Sequence, residues 1–229
     1  GGSNDLYDFS AAALTSIEVL SILDPFVHVT LDASQAGMLE EINAHGSEHF
    51  IRVVDAETVD LSAISFPEWN PDLSALAIYG TANADNIVAS SQVDEIWAGD
   101  GDDIIDGGDG DDIIHGGLGR DEMTSGEGAD RFIYQSLDDT PTGDTRDRIS
   151  DFTQGEDVII IDIPGLAFTF IEDNAFSGSG SAEISYQIVG AITTLNLDGD
   201  GDGTAEAKIA LVGTMAITNA DLGAGLFLV

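Results

Sequence analysis

Cysteine is absent from this 229-residue chain, so no disulfide supports the fold and no thiolate metal centre can form. Basic residues are nearly absent too. Arg52, Arg120, Arg131, Arg146, Arg148 and Lys208 stand against 43 Asp and Glu residues, for a formal net charge of −37. Nucleic acid and anionic membranes are polyanions and are therefore excluded as partners. Histidine, at four residues, is too sparse to suggest a transition-metal site. No run of about twenty apolar residues occurs, so no helix long and apolar enough to cross a membrane is expected. The first residues carry no basic-then-apolar export signal. No nucleophile with a base, paired general acid and base, or phosphate loop stands out, and no enzyme is expected in this chain. Apolar residues at 43% suffice for a core. A chain without disulfides and with this much self-repulsion has to be stabilised by something else, and bound metal is the expected source.

What is abundant is a nine-residue pattern that runs six times without a slip from Gly80 to Ile133. The repeats begin at Gly80, Ala89, Ala98, Gly107, Gly116 and Ser125. An aspartate falls at every sixth place: Asp85, Asp94, Asp103, Asp112, Asp121 and Asp130. Every eighth place is large and apolar: Ile87, Ile96, Ile105, Ile114, Met123 and Phe132. Glycines fill the second and fourth places of the last four repeats, where they permit a tight turn with positive φ and leave carbonyl oxygens facing one concavity. Three residues after each aspartate are too few for a helix and suit a short strand. A turn of six and a strand of three, taken twice, make a coil of eighteen residues whose eighth-place side chains lie between two facing strand layers. Successive turns then fall on alternate edges. Asp85, Asp103 and Asp121 stack along one edge, and Asp94, Asp112 and Asp130 along the other. Stacked like charges repel, and a hard divalent cation held by carboxylate and backbone oxygens neutralises them. The unbroken apolar eighth place argues against a solvated acidic linker, which composition alone would permit.

This nonapeptide resembles that of the RTX (repeats-in-toxin, haemolysin-type) calcium-binding proteins, over about a quarter of the chain. The resemblance implies an all-β fold built on a right-handed parallel β-roll, with calcium between the turns of repeats n and n+2. It places metal ligands at Asp103, Asp112, Asp121 and Asp130, with backbone carbonyls near Gly99, Gly101, Gly108, Gly110, Gly117, Gly119, Gly126 and Gly128. The first two repeats depart from the pattern. Gly80-Thr81-Ala82-Asn83 keeps a turn-competent Asn83, and Ala89-Ser90-Ser91-Gln92 has no glycine, so sites using Asp85 and Asp94 are expected to be weaker. About two firm Ca2+ ions are expected, and up to four or five in all.

The charge predicts a metal-free chain expanded by self-repulsion, which makes calcium a folding switch. With a Kd of ~10⁻⁴ M, ~10⁻² M calcium stabilises the fold by roughly 2.7 kcal/mol per site, whereas sub-micromolar cytosolic calcium contributes almost nothing. The chain is expected to be disordered in the cytosol and folded outside it.

The flanks divide the chain into an N-terminal solenoid-like β segment at 1–77, the roll at 78–136 and a C-terminal antiparallel β cap at 137–229. In the first, strands are expected at 16–23, 27–31, 50–54, 58–61 and 73–79. Asp32 and Gln35 have capping-box spacing and open one short helix that presents Met38, Leu39 and Ile42 and ends at Gly46. His45-Gly46-Ser47-Glu48-His49 has the spacing of an inverted zinc-protease motif, but Gly46 and the strand that follows favour a surface turn. Gly1 to Tyr7 resembles the tail of a further repeat one residue short, which points to a longer parent protein; a cloning scar is the alternative. After the roll, Phe132-Ile133-Tyr134 is expected to close the stack. The segment Asp147-Arg148-Ile149-Ser150-Asp151-Phe152, continuing through Gly155 and Asp157 to Ile159, resembles the one that follows the roll in serralysin-type secreted proteases. That resemblance implies a capping β-structure and no proteolysis, because no H-E-x-x-H occurs. Residues 158–171, 182–189 and 191–197 alternate as antiparallel strands would. The Asp198-Gly199-Asp200-Gly201-Asp202-Gly203 loop begins like an EF-hand, yet Ile209 stands where the bidentate glutamate belongs; a plain hairpin turn is the other reading. The apolar end Leu226-Phe227-Leu228-Val229 is similar to the C-terminal signal of type I secretion substrates.

Two functional classes follow. The first is a non-enzymatic, calcium-binding secretion and folding module, monomeric, at the C-terminus of a larger protein that is exported by the type I secretion machinery to the exterior or cell surface. The second is a calcium-dependent adhesion or polysaccharide-binding module, whose glycan would stack on Trp69, Trp97, Tyr79 or Tyr134.

Overall fold

The computed structural model describes residues 5–8, 19–22, 27–32, 36, 41–44, 49–54, 57–66 and 74–223. Their strands alternate between two sheets, as a coil with a turn at each edge requires. One sheet holds, in order, Asp5–Asp8, Val27–Asp32, His49–Val54, Ser74–Tyr79, Asp94–Asp100, Ile113–Leu118, Arg131–Tyr134 and Val158–Ile161, every pair parallel. The other runs Thr58–Asp60, Asn86–Val88, Ile104–Asp106, Glu122–Thr124 and Asp147–Ile149, then continues into Ala207–Val212, Ile192–Asp198, Glu183–Val189 and Thr169–Phe170. Val19–Ile22 and Glu41–Ala44 form a separate parallel pair. Both large sheets run without a break across residues 77–78 and 136–137.

The register within the repeats is the expected one. Ile87 pairs with Ile105 and Ile105 with Met123, while Ile96 pairs with Ile114 and Ile114 with Phe132, each step advancing 18 residues. Coils widen on both sides, to 22 and 25 residues at Leu31–Val53–Ile78 and to 26 and 27 at Met123–Ile149 and Phe132–Ile159. The result is two facing apolar ladders: Val59, Ile87, Ile105, Met123, Ile149 and Leu211 in one sheet, and Leu31, Val53, Ile78, Ile96, Ile114, Phe132 and Ile159 in the other. All are buried. Side chains of a strand alternate in direction, so the seventh and ninth places of each repeat face outward.

Three expectations are revised. Arg131–Tyr134 does not close the stack: Val158–Ile161 adds a further parallel strand to it, and Ile159 bridges on to Leu222. Residues 158–171 are therefore not antiparallel; only the meander Glu183–Val189, Ile192–Asp198, Ala207–Val212 is. That meander lies beside Asp147–Ile149 and covers the sheet edge that the roll would otherwise leave open. The helix expected from Asp32 to Gly46 is reduced, since Asp32 ends a strand, Ala36 has helical backbone, and Glu41–Ala44, with Ile42, is extended. Parallel pairing of Leu20 with Ile42 and of Ile22 with Ala44 is what the extended form gains. Met38, Leu39, Trp69 and the terminal 226–229 segment lie outside the described residues.

Phe132 fills the ladder with no exposure, whereas Ile104, one place before a ladder position, is 55% exposed. Phe132→Ala is expected to cost about 3–5 kcal/mol in urea unfolding at saturating calcium, and Ile104→Ala to stay within about 0.5 kcal/mol.

Candidate metal centre

The six sixth-place aspartates are all buried, at 2% exposure or less. Each of the last four uses one carboxylate oxygen in the same way. Oδ1 of Asp103, Asp112, Asp121 and Asp130 accepts the backbone N–H of Asp85, Asp94, Asp103 and Asp112, at 2.8, 2.9, 3.0 and 2.9 Å. The aspartates thus form two ladders, one along each edge. The other oxygen, Oδ2, of Asp103, Asp112, Asp121 and Asp130 is buried without a hydrogen-bond partner. Leaving one such acceptor unsatisfied costs on the order of 1–3 kcal/mol and more when charged. Four of them in register call for a cation.

Carbonyl oxygens surround them. All eight glycines at the second and fourth places of the last four repeats have positive φ, from 95° to 145°. A Cβ on Gly117 would lie 1.9 Å from the carbonyl oxygen of Gly99, and one on Gly126 would lie 1.7 Å from that of Gly108. Gly119 meets Gly101, and Gly128 meets Gly110, in the same manner. A Cβ on Gly99, Gly101, Gly108 or Gly110 would lie 2.0 to 2.5 Å from the carbonyl oxygens of Thr81, Asn83, Ser90 and Gln92. Glycine is thus required twice over, by its φ and by stacked carbonyls that leave no room for a side chain. Carboxylate and carbonyl oxygens without nitrogen or sulfur suit calcium, whose loose geometry tolerates such a turn better than the strict octahedron of magnesium.

In the first two repeats the carboxylates find hydrogen-bond partners within their own turns. Asp85 accepts from the N–H and the hydroxyl of Thr81 at 2.6 and 2.9 Å, and Asp94 accepts from the N–H and hydroxyl of Ser90. A Thr or Ser where glycine stands elsewhere satisfies the carboxylate within its own turn. Asn83 turns its amide to Glu57 and Thr81, and only its carbonyl faces the stack.

Both ladders reach beyond the repeats. Asp147 accepts from Asp121 N–H at 3.0 Å and buries its Oδ2, with the Tyr134 hydroxyl as its neighbour, so it extends the edge of Asp85, Asp103 and Asp121. Asp157 accepts from Asp130 N–H at 3.1 Å and from Thr153 N–H at 2.7 Å, which ends the other edge with both oxygens satisfied. Asp151 binds the N–H groups of Ser125 and Gly126. Sequence reading assigned these three residues to the cap; Asp147 and Asp157 each begin a D-x-I run that matches places six to eight of a repeat, whereas Asp151, followed by Phe152 and Thr153, carries no such signal.

Burial raises the carboxyl pKa values along the ladders. Asp103 is pushed up to about 6, Asp94 and Asp121 to about 7, and Asp112 and Asp147 to about 9, chiefly by desolvation and then, at Asp112 and Asp147, by the neighbouring Asp94 and Asp121 charges. Desolvation also raises Asp130 and Asp157. Without metal, protons are what hold these sites neutral.

Elsewhere, Asp198, Asp200, Asp202 and Glu206 bring carboxylate oxygens within 4.8 Å of one another. Asp198 already accepts from Gly201 and Gly203, and Glu206 from Gly199. The aromatic platform is less favourable. Trp97 stacks on His115 at 3.5 Å with 9° between the planes, which occupies a ring face, and Tyr134 is buried. Burial lowers the pKa of His115 to about 4. Of the zinc-like motif, His49 opens a strand, and His45 and Glu48 lie outside the described residues.

Residues 72–223 match the family model described as the peptidase M10 serralysin C terminal. The chain belongs to that family. It is an RTX-type, calcium-binding repeat module, as the nonapeptides indicate. Among solved structures this serralysin C-terminal module is similar to the AlgE6R2 subunit of the Azotobacter vinelandii mannuronan C5-epimerase, with 25% identity and a TM-score of 0.50 over 67% of this chain and 95% of that one. It is also similar to the AlgE6R3 subunit of the same organism's epimerase, with 28% identity and a TM-score of 0.41 over 66% and 78% of the two chains. No curated protein matches it.

Two outcomes are expected of this serralysin C-terminal module. Gly117→Ala, which meets both positive φ and the Gly99 carbonyl, is expected to cost several times as much stability in calcium as Gly143→Ala, which meets only positive φ, of order 1 kcal/mol. The raised carboxyl pKa values mean that the metal-free fold binds more protons than the unfolded chain. Its stability is therefore greatest below about pH 4 as far as these groups contribute, and falls as pH rises through 6 to 9. Calcium affinity should rise over the same interval with proton release, which calorimetry in buffers of different ionisation enthalpy would measure.

Proposed function

We propose that this chain is the calcium-folded module of an exported protein, carried to the exterior through a type I secretion channel as a disordered chain and folded there by calcium. The observation that supports this reading is the set of buried, partnerless Oδ2 atoms on Asp103, Asp112, Asp121 and Asp130. In this reading calcium ions sit between the turns on both edges. Those aspartates supply carboxylate oxygens, and the glycine-rich turns from Gly99 to Gly128 supply carbonyls. Asp147 adds a ligand after the last repeat on its edge. Asp85, Asp94 and Asn83 contribute at most carbonyl or shared ligands, because Thr81 and Ser90 already satisfy the two carboxylates. Each ion removes charge repulsion that the metal-free chain, at −37, must bear. At cytosolic calcium the sites stay empty and the chain remains threadable.

A second reading is a polysaccharide-binding module that needs calcium to be folded. The similarity to AlgE6R2, a subunit of a mannuronan epimerase, favours it.

Calcium titration of chelated protein, followed by far-UV circular dichroism with magnesium as control, tests the first reading. A cooperative gain of β-signal at about 10⁻⁴ to 10⁻³ M calcium, absent with magnesium, is expected. Full structure in chelator would sink the folding switch. Asp112→Asn keeps the Oδ1 acceptor for Asp94 and replaces the partnerless charge by a neutral amide. It should raise the calcium midpoint roughly tenfold while making the metal-free chain easier to fold, because no carboxylate then has to take up a proton or be buried charged on folding. Asp85→Asn should move the calcium midpoint much less.

A further inference from the structure

We propose that the outer face of the C-terminal meander carries a binding site for an acidic sugar, a uronate-bearing oligosaccharide whose carboxylate is held by Arg146 and Lys208. This deepens the polysaccharide reading and rests on it. A groove of about 320 Å³ opens there, lined by Arg146, Lys208, Gln187, Thr194 and Asn196, with Val189 and Ile192 at its apolar end. Its size is within the range of small-ligand sites. The register builds it. Asn196 pairs with Lys208, Thr194 with Gln187, and Ile192 with Val189, so alternate residues of three strands share one face. The opposite face carries Ile184, Leu195, Leu197, Ile209 and Leu211, all buried in the core. Arg146 precedes Asp147, which pairs with Ile209, and so falls beside Lys208. Exposed Arg148 continues the same strand on the same face.

Charge distribution makes this groove unlike the rest of the molecule. The chain has six basic residues against 43 acidic ones, yet two of the six line this one groove and no carboxylate does. Among the described residues the ion pair present is Arg120 with Glu122; Arg146 and Lys208 are paired with no acid. Arg146 is anchored: a terminal guanidinium N–H donates to the Gly143 carbonyl, and its Nε–H is buried without a partner. A buried guanidinium donor without an acceptor, next to an unpaired ammonium, is complementary to an anion, and the guanidinium fork suits a carboxylate. The remaining polar lining is two amides and a hydroxyl. These offer both donors and acceptors, as sugar hydroxyls do, while Val189, 72% exposed, and Ile192 present an apolar surface for the C–H face of a ring.

The experiment is calorimetric titration of the calcium-loaded chain with trigalacturonate, too short to gel with calcium, and with cellotriose as the uncharged counterpart. Trigalacturonate is expected to bind and cellotriose to bind at least tenfold more weakly. Lys208→Gln and Arg146→Gln should each weaken trigalacturonate binding at least tenfold, Arg146→Lys less so. Arg131→Gln, which changes net charge equally on the other sheet, should leave it unchanged. An unaltered calcium midpoint of folding for Lys208→Gln excludes misfolding as the cause. Trigalacturonate binding that survives both neutralising variants would overturn the site and leave the polysaccharide reading standing. Equal or tighter binding of cellotriose would overturn the acidic-ligand assignment while keeping that reading. Binding of neither sugar would overturn both.

Discussion

The structure depends on one hydrogen bond repeated along two edges, from a backbone N–H to the Oδ1 of the aspartate one coil further on. That bond fixes the stacking distance of the coils and draws a carboxylate out of water. The second oxygen then has nowhere to go, because stacked glycine carbonyls fill the space and bring acceptors rather than donors. A fold organised in this way is unfinished without cations. Protons can neutralise the carboxylates singly, but they do not join a carboxylate to several carbonyls, which is what a calcium ion does.

The two apolar ladders and the two aspartate ladders are separate consequences of one nine-residue period. The eighth place buries and the sixth place charges, and both advance together by 18 residues. The core is only one side chain deep between the sheets, so it holds little apolar volume per residue. Burial in the middle of the chain is correspondingly aliphatic and uniform, and larger rings enter only where coils widen, as at Phe132 against Phe152. Edge chemistry therefore carries an unusual share of the stability.

The sequence made the period legible, and with it the two sheets, the pairing of Ile96 with Ile114 and the stacking of Asp94 with Asp112, because a strict period leaves one consistent register. What lay outside the period was less legible. Asp147 and Asp157 join the ladders after loops of irregular length, so no spacing rule reaches them from Asp121 and Asp130. Val158–Ile161 reads equally well as parallel or antiparallel, since alternation reports which face is buried and not which strand lies alongside. The caps at Thr81 and Ser90 were visible as residues four places before an aspartate, but their effect on metal demand follows only from seeing both carboxylate oxygens satisfied. The Arg146–Lys208 groove joins residues far apart in sequence through a strand pairing that no local pattern specifies.

The alternation of strands between the two sheets sets a parity rule on how such arrays can change length. A gain or loss of eighteen residues adds or removes one whole coil, and every later strand keeps its sheet and its facing ladder. A gain or loss of nine would send each later strand to the opposite sheet. Asp147–Ile149 would then meet the partners of Val158–Ile161, and the meander beside it would be carried to the wrong side of the roll. Arrays of this kind are free to lengthen only in pairs of repeats, even though the unit written in the sequence is a single one.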